Sequence, residues 1–488
     1  MSHASHSAVL SIDVGTSGVR AALFGEDGKQ IEGAQAVTRR AVSDFAELDP
    51  DALVDEVTKT VDALLRSPLG AASQIDEITI SAFWHSMMGV NDQGVPTTPL
   101  LTWADTRAVQ DAKSLRAEFD EREVHARTGC RLHPSYWPAK LRWLKRERRE
   151  QFDATELWLG FGEYLCLRLF GEPVASVSMA SATGLLAQRS CAWDHQLIEV
   201  LGLARDQVPR INTDTAARFT DTFAGRWPAL AQARLVTVVG DGAANNIGGG
   251  CSTKGKIALM IGTSGAMRVV FAGEPPADLS PALWCYRVDR KRVVVGGALS
   301  DGGGLLQWLV QSLNINDRDG SLQQQLAALE PDAHGLTILP FWSGERSTGW
   351  RAEAFGGIFG LRQDTTTVEI IRATLEAIAY RFALIANALD EIAPGAEIVA
   401  TGNALRSSPV WLQIIADVLG RPVLFGGAPE ASIRGAALLA LEAVGKIANI
   451  EAVPVVVDEV FEPDAQRHAR YREGLARQQE LYERLFDH

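Results

Sequence analysis

Early in the chain two apolar rhythms alternate. The stretch "VLSIDVG" (9–15) is a short apolar run broken by one carboxylate, and "EITISAF" (77–83) is a second strand-like run. Between them, "DALVDEVTKTVDALLRS" (51–67) sets Val54, Val57, Val61 and Leu64 at the three-and-four spacing of one helix face. Such alternation predicts an α/β layered structure. Farther on, "TTTVEIIRATLEAIAYRFALIANALDEI" (365–392) predicts a long helix, with Thr366 and Glu369 as a capping box and Ile371, Leu375, Ile378 and Phe382 as its apolar stripe. The charged segment "DAQRHARYREGLARQQELYERLF" (464–486) predicts a terminal helix laid on a domain surface.

One pattern occurs twice. "LSIDVGTSGVRAALF" (10–24) and "IALMIGTSGAMRVVF" (257–271), 247 positions apart, both read apolar strand, Gly-Thr-Ser-Gly, apolar strand. The separation is about half the chain, so two related lobes are expected. The copies differ at one place that matters: Asp13 in the first is Met260 in the second.

Length and composition change this picture only a little. At 488 residues the chain suits two domains of roughly 200 to 250 residues. Lys and Arg number 47 against 60 Asp and Glu, a formal net charge of −13 that disfavours a nucleic-acid partner. The opening "MSHASHSAVL" has no basic segment leading into a long apolar one, and no apolar run is long enough for a membrane span, so a soluble, cytoplasmic protein without membrane partners is expected. Cys130, Cys166, Cys191, Cys251 and Cys285 are scattered singly and read as buried reduced thiols.

A turn of Gly, Thr and Ser between two strands can aim backbone N–H groups and hydroxyls at a phosphate, because glycine permits positive φ and close approach. Two such turns facing one another would grip a polyphosphate from both sides; taken singly, each is also the pattern of an ordinary hairpin. Neither is a P-loop or a dinucleotide fingerprint. On the phosphate reading, only the first copy carries a carboxylate able to bind Mg²⁺ directly or through water. Between the copies, "LVTVVGDGAANNIGGGC" (235–251) ends an apolar strand at Gly240-Asp241-Gly242 and enters a small-residue segment suited to a closely packed helix. Asp241 is either a turn or cap residue or a carboxylate projecting into a cleft between lobes.

Together these segments resemble the FGGY carbohydrate kinases of the sugar kinase, actin and Hsp70 superfamily. "DVGTSGVR" and "IGTSGAMR" resemble that family's two phosphate motifs, "GDGAANNIGGG" its catalytic-Asp segment, and "ATGNALRSSPVWLQIIADVLGRPV" its adenosine motif. "GGIFGL" followed after seven residues by "EIIRATLE" resembles a signature pattern, and "WADTR", "AKLRWLKRE", "SGERS" and "SIRGAALLAL" extend the likeness over nearly the whole chain.

The resemblance implies an α/β protein of two actin-like (ribonuclease H-like) domains, residues 1–246 and 247–488, with a catalytic cleft between them for ATP and Mg²⁺. It implies that Asp241 takes the proton of an attacking sugar hydroxyl and that Asp13 helps to hold Mg²⁺, directly or through water. Gly15, Thr16 and Ser17 would approach the phosphates from one lobe and Thr263 from the other, with Gly303, Gln307, Gly402, Asn403 and Ser407 at the adenosine end. Asn403 stands where a second glycine is common, and a left-handed Asn is expected to preserve the turn. Ser176 stands where relatives often carry Asp and receives no role.

Substrate contacts are implied at Trp84, His85, Asp105 and Arg107. Read as residues alone, His85 also fits a hydrogen-bonded interior histidine and Arg107 an internal ion pair, while Glu345 and Arg346 of "SGERS" also fit a structural pair. Within the family, "HSMMGV", "TWADTR" and "TGCRLHPSYWPAKLRWL" resemble gluconokinase-like members first and xylulokinase next. Gluconate needs a cation for its carboxylate, and Arg107, Arg131, His133 and Lys140 lie in or near these motifs. The expected function is therefore ATP-dependent phosphorylation of gluconate in carbohydrate catabolism. A xylulokinase or other pentulose or polyol kinase is the alternative, and a catalytically inactive sugar-binding or sensing protein the non-enzyme one. A DNA-binding regulator would add a helix-turn-helix, for which the residues before Asp13 leave no room. The partners implied are a small sugar or sugar acid and ATP; assembly is left open, with a homodimer one form.

Overall fold

The computed structural model describes residues 7–40, 46–212, 217–315, 320–427 and 430–486. Strand β1 (Ser7–Gly15) pairs antiparallel with β2 (Gly18–Gly25), which pairs antiparallel with β3 (Gln30–Arg39). On its other side β1 runs parallel to β4 (Gln74–Ala82), and β4 parallel to β5 (Arg234–Gly240), giving the order β5-β4-β1-β2-β3. β1 is buried on both faces, which explains why its apolar run does not simply alternate with polar residues. Leu10, Ile12 and Val14 join Val54, Val57, Val61 and Leu64 of α1 (Pro50–Arg66) in one cluster. The period of two puts Val9, Ser11 and Asp13 on the opposite face.

The second half rebuilds this sheet. β6 (Lys256–Ile261) and β7 (Gly265–Ala272) form its hairpin; β8 (Trp284–Arg287) and β9 (Arg292–Leu299) extend it beyond β7, and β10 (Glu397–Thr401), β11 (Val423–Gly426) and β12 (Val457–Phe461) beyond β6. The inner order β11-β10-β6-β7-β9 matches β5-β4-β1-β2-β3 strand for strand and in every parallel and antiparallel pairing; β8 and β12 are edge additions. The Gly-Thr-Ser-Gly repeat is thus the visible part of a repeated sheet, and the fold is the two-domain actin-like α/β arrangement.

Long connections hang on this frame. Residues between β4 and β5 build a helical layer with its own apolar cluster, including Met87, Leu115, Trp137, Leu144 and Trp158. It contains α2 (Phe161–Phe170), whose Glu163 is 4% exposed and accepts from the N–H of Gly160 at the helix start. Burial without a counter-ion pushes the Glu163 carboxyl up to about 7. A folded-state pKa raised above the unfolded value stabilises the fold at low pH, and that contribution is lost as pH rises from the usual carboxylate range through about 7. The cost of the buried charge above that range is on the order of 3 kcal/mol. Glu163→Gln is therefore expected to melt above the wild type at pH 8, with the gap closing by pH 5; thermal melts of both proteins across this range check it, and a pH-independent gap would contradict the assignment.

Two helices lock the halves together. α3 (Asp241–Gly248) follows β5 but reaches the second sheet, where Asn246 Nδ2 donates to the Arg268 carbonyl at 3.1 Å. The helices α4 (Gly303–Ser312) and α5 (Thr367–Asp390) follow, α5 opening with the expected Thr366/Glu369 capping box and burying the expected stripe. α6 (Ala431–Ala443) follows β11 but lies on the first sheet: Ser11 Oγ donates to the Ile433 carbonyl at 2.7 Å, and Val9 packs with Ala440 and Leu441. The α3 and α6 backbones touch where they cross. A Cβ at Gly248 would stand 1.8 Å from the Ala431 carbonyl oxygen, and one at Gly435 would stand 1.8 Å from that of Ala244. The motifs "GDGAANNIGGG" and "SIRGAALLAL" are therefore two sides of one contact, and a division between 246 and 247 cuts through α3.

The terminal helix α7 (Ala465–Phe486) buries Tyr471, Gly474, Gln478 and Tyr482. Asp332, His334 and Glu376 cluster beneath it, but Arg477 holds Asp332, while Arg372 at 2.6 Å and His334 at 3.0 Å hold Glu376, so the cluster is an ion-pair network anchoring the helix. All five cysteines are buried and free. Among the described residues no helix is long and apolar enough to cross a membrane.

Candidate active site

Between the halves lies a cleft of about 960 Å³ into which both hairpin turns face. In the first, the register pairs Gly15 with Gly18 and leaves Thr16 and Ser17 as the loop. Gly18 sits at φ 153°, and a Cβ there would meet the Thr38 carbonyl oxygen at 2.3 Å, so β3 lies close only because the residue is glycine. Arg40, held by Glu56 at 2.6 Å, donates to the Thr16 carbonyl at 2.8 Å and the Gly15 carbonyl at 3.3 Å. With its carbonyls engaged, what the turn offers an anion is N–H groups and hydroxyls.

The second turn, Gly262-Thr263-Ser264, is braced from behind by the start of α4. Gly302 and Gly304 both donate to the Thr263 carbonyl at 3.0 Å, and Gly303 donates to that of Gly262 at 2.8 Å. A Cβ at Gly303 would stand 2.6 Å from the Gly262 oxygen. Gly402 closes on the same place, with φ 114° and room for no Cβ, which would meet the Ile261 oxygen at 2.2 Å. The left-handed residue expected at Asn403 is thus Gly402, whereas Asn403 begins the short helix Asn403–Arg406 with its side chain exposed. Gly303, Gly402 and Asn403 gather beside the second turn. Ser407 is exposed and donates to the Ala404 carbonyl at 3.1 Å, and Gln307 is exposed on α4.

Asp241 is the first residue of α3 and lines the cleft with Thr16, Ser17 and Thr263. Its carboxyl is raised above the ordinary range by withdrawal from solvent, while nearby Arg268 and the N–H groups of Gly242 (2.8 Å) and Trp84 favour the ionised form. Asp13 stands within electrostatic reach of Asp241. It accepts from Ser81 Oγ at 2.8 Å and lies 3.5 Å from Arg20, and burial pushes it up to about 6. The β1–β2 register places Arg20 directly opposite Asp13, whereas in the second copy Met260 faces Ala266. The first hairpin therefore sets an acid opposite its cation where the second pairs two apolar side chains. Two neighbouring carboxylates, each made costlier to ionise by burial, offer the hard oxygen donors that suit a divalent cation.

Of the implied substrate residues, His85 and Arg107 take the interior hydrogen bond and the internal ion pair that their residue types also allowed. Trp84 lies beneath the cleft floor, its indole N–H on the Ser178 carbonyl at 3.1 Å and its ring so close to Gly240 that a Cβ there would stand 1.8 Å away. It supports Asp241 rather than facing the cleft. Asp105 and Arg107 form a bidentate pair at 2.9 and 2.8 Å, with Arg107 also on Glu47 and stacked over Trp143; neither lines the cleft, but their neighbours Trp103, Ala104 and Thr106 do. His85 takes a left-handed backbone, φ 66°, among the rings of Trp84, Tyr136 and Tyr286. Its Nδ1 lies 2.7 Å from the Ala182 carbonyl and so carries the proton, leaving Nε2 as a lone pair; burial and Arg346 hold its pKa well below the usual value.

The remaining cations proposed for a carboxylate are spent. Lys140 is fully buried, its three donors on the carbonyls of His85, Thr102 and Ser135 at 3.0, 2.6 and 3.0 Å, tying three acceptor motifs together. Arg131 pairs with Glu121, and His133, buried and neutral, lies 3.3 Å through Nε2 from the Glu345 carbonyl. Ser176 caps a short helix by accepting from Met179 N–H at 3.1 Å. The "SGERS" residues both border the cleft but do not pair with each other: Glu345 pairs with Arg381 and Tyr482, while Arg346 has no carboxylate partner among the described residues. Trp308, Trp342 and Asp301 also line it, Asp301 held by Ser343 at 2.8 and 2.9 Å. In the sequence no local spacing marks Trp308, Trp342 or Asp301.

Residues 8–248 match the N-terminal domain of the FGGY family of carbohydrate kinases and residues 257–444 its C-terminal domain. A gluconokinase of Bacillus subtilis (strain 168) is 30% identical over 93% of this chain and 91% of its own length. A xylulose kinase of Escherichia coli (strain K12) is 26% identical over 98% and 99%. The crystal structure of gluconate kinase from Lactobacillus acidophilus superposes with a TM-score of 0.89 at 25% identity, covering 99% of this chain and 98% of that one.

Proposed function

Because the chain belongs to the FGGY family of carbohydrate kinases, we propose that it transfers the γ-phosphoryl group of ATP to a hydroxyl of gluconate, with Asp241 as base. The observation that carries the mechanism is the carboxylate of Asp241 opening into the same cleft as both Gly-Thr-Ser turns. The likeness to gluconokinases over nearly the whole chain supports the acceptor.

Phosphoryl transfer demands alignment and relief of charge more than covalent chemistry from the protein. In this reading Thr16, Ser17 and Thr263 grip the phosphates from opposite lobes, and Gly303, Gly402 and Asn403 border the adenosine end. Mg²⁺ supplies neutralisation of phosphate charge, and Asp13 would hold it directly or through water. Asp241 accepts the proton of the acceptor hydroxyl as that oxygen bonds to the γ-phosphorus and the bond to the bridging oxygen breaks, releasing ADP. Afterwards the protonated carboxyl returns its proton to solvent. Trp84 and the N–H of Gly242 keep the carboxylate aimed.

Coupled ADP-release assays with gluconate, xylulose, ribulose and glycerol test the acceptor. Gluconate is expected to give the highest kcat/KM, and a value for xylulose well above that for gluconate would overturn the choice.

A further inference from the structure

Arg346 is the one arginine lining the cleft among the described residues, and it is incompletely satisfied. It is 9% exposed, its Nε has no hydrogen-bond partner, and no carboxylate of the described residues lies within ion-pair distance of it. Its contacts are the Nε2 lone pair of His85 at 3.5 Å and the face of Trp103, 5.5 Å from the guanidinium carbon. A guanidinium withdrawn from water without an anion is costly, and the planar fork is shaped for two parallel bonds to a carboxylate. The obvious nearby acid, Glu345, is held by Arg381, Tyr482 and the N–H of Gly349 at 3.1 Å, so it cannot serve.

The surroundings of Arg346 fix which anion it awaits. It touches His85 of "FWHS" and Trp103 of "WADTR", the segments that the family resemblance ties to the acceptor, and among the described residues its guanidinium makes no hydrogen bond to either phosphate turn. Asp241 feels its charge, so it lies within electrostatic reach of the reacting hydroxyl. Arg107, Arg131 and Lys140 are already paired or fully bonded. We propose that Arg346 is the specificity-determining residue that binds the carboxylate of the acceptor, with His85 Nε2 orienting the guanidinium; this rests on the reading of the acceptor as gluconate.

The test compares wild type, Arg346→Met and Arg346→Lys in steady-state kinetics with gluconate and xylulose. Loss of a charge-assisted pair to a carboxylate is expected to lower kcat/KM for gluconate about a hundredfold in Arg346→Met, chiefly through KM, and to reduce the gluconate-to-xylulose ratio by a similar factor. Arg346→Lys, which keeps the charge without the fork, should recover part of the loss. Melting curves report folding of both variants; since Met removes an unpaired buried charge, its midpoint should not fall, and if it does, the KM for gluconate in Arg346→Lys decides. Equal losses for both acceptors, carried by kcat, would assign Arg346 to the phosphoryl group and overturn the proposal, as would an unchanged KM for gluconate. A wild type that prefers xylulose would instead sink the gluconate reading, and this inference with it.

Discussion

Asp241→Asn is expected to fold, to bind ATP, and to lose about 10²–10⁴-fold in acceptor-dependent ADP release. The replacement is nearly isosteric, and an amide oxygen still accepts from the N–H of Gly242, so α3 begins as before. What disappears is the proton acceptor. Because burial raises the Asp241 carboxyl, the wild-type kcat/KM should climb with pH as that group ionises, and the residual activity of the variant should lack this limb. Nucleotide affinity should be kept or improve, since a negative charge leaves the neighbourhood of the phosphates. Steady-state kinetics across pH, with calorimetric ATP titrations, measure both halves of this expectation. Activity within a few-fold of wild type would remove Asp241 from the role of base.

Gly435→Ala is expected to be, with Gly248→Ala, among the most damaging single-methyl changes in the described residues. The added carbon would stand 1.8 Å from the Ala244 carbonyl oxygen, a backbone atom in a helix that itself bears on α6 through Gly248, so neither partner has a flexible side chain to move aside. Overpacking of this kind commonly costs about 1–3 kcal/mol and occasionally more, and backbone against backbone belongs at the upper end. Activity should fall with stability, because pushing α3 away shifts Asp241. Gly225→Ala is the control, for a Cβ there meets nothing within 4 Å and should not lower the melt. Equal melting points for Gly435→Ala and wild type would mean that the helices separate without cost.

The repeated hairpin was legible because strand, Gly-Thr-Ser-Gly turn and strand are local patterns, and 247 positions between the copies pointed to a doubled sheet. The burial of Val54, Val57, Val61 and Leu64 and the Thr366 cap followed from spacing alone. The acceptor wall was less legible, because a charged residue's role depends on which partner reaches it first. Arg107 and Lys140 looked available in the sequence and are consumed by Asp105 and by three carbonyls. Arg346 looked like half of a pair with the residue before it, yet Glu345 is taken by Arg381 from a helix 36 positions away in sequence. Likewise, the left-handed backbone passes to Gly402 because Ile261 crowds that position from another strand, which "ATGNAL" alone does not show.

The crossing of α3 and α6 is also the natural pivot for any opening of the cleft. Asp241 begins one of the two helices whose backbones meet there. If one half swings against the other while this contact holds, displacement grows with distance from it, as in shears whose rivet lies beside the cutting point. Asp241, on the same short helix as that contact, would then move little, and groups remote from it would move more. On the proposed mechanism, nucleotide exchange and chemistry would then make separate demands on the molecule: the halves could part for ATP and ADP with little displacement of Asp241.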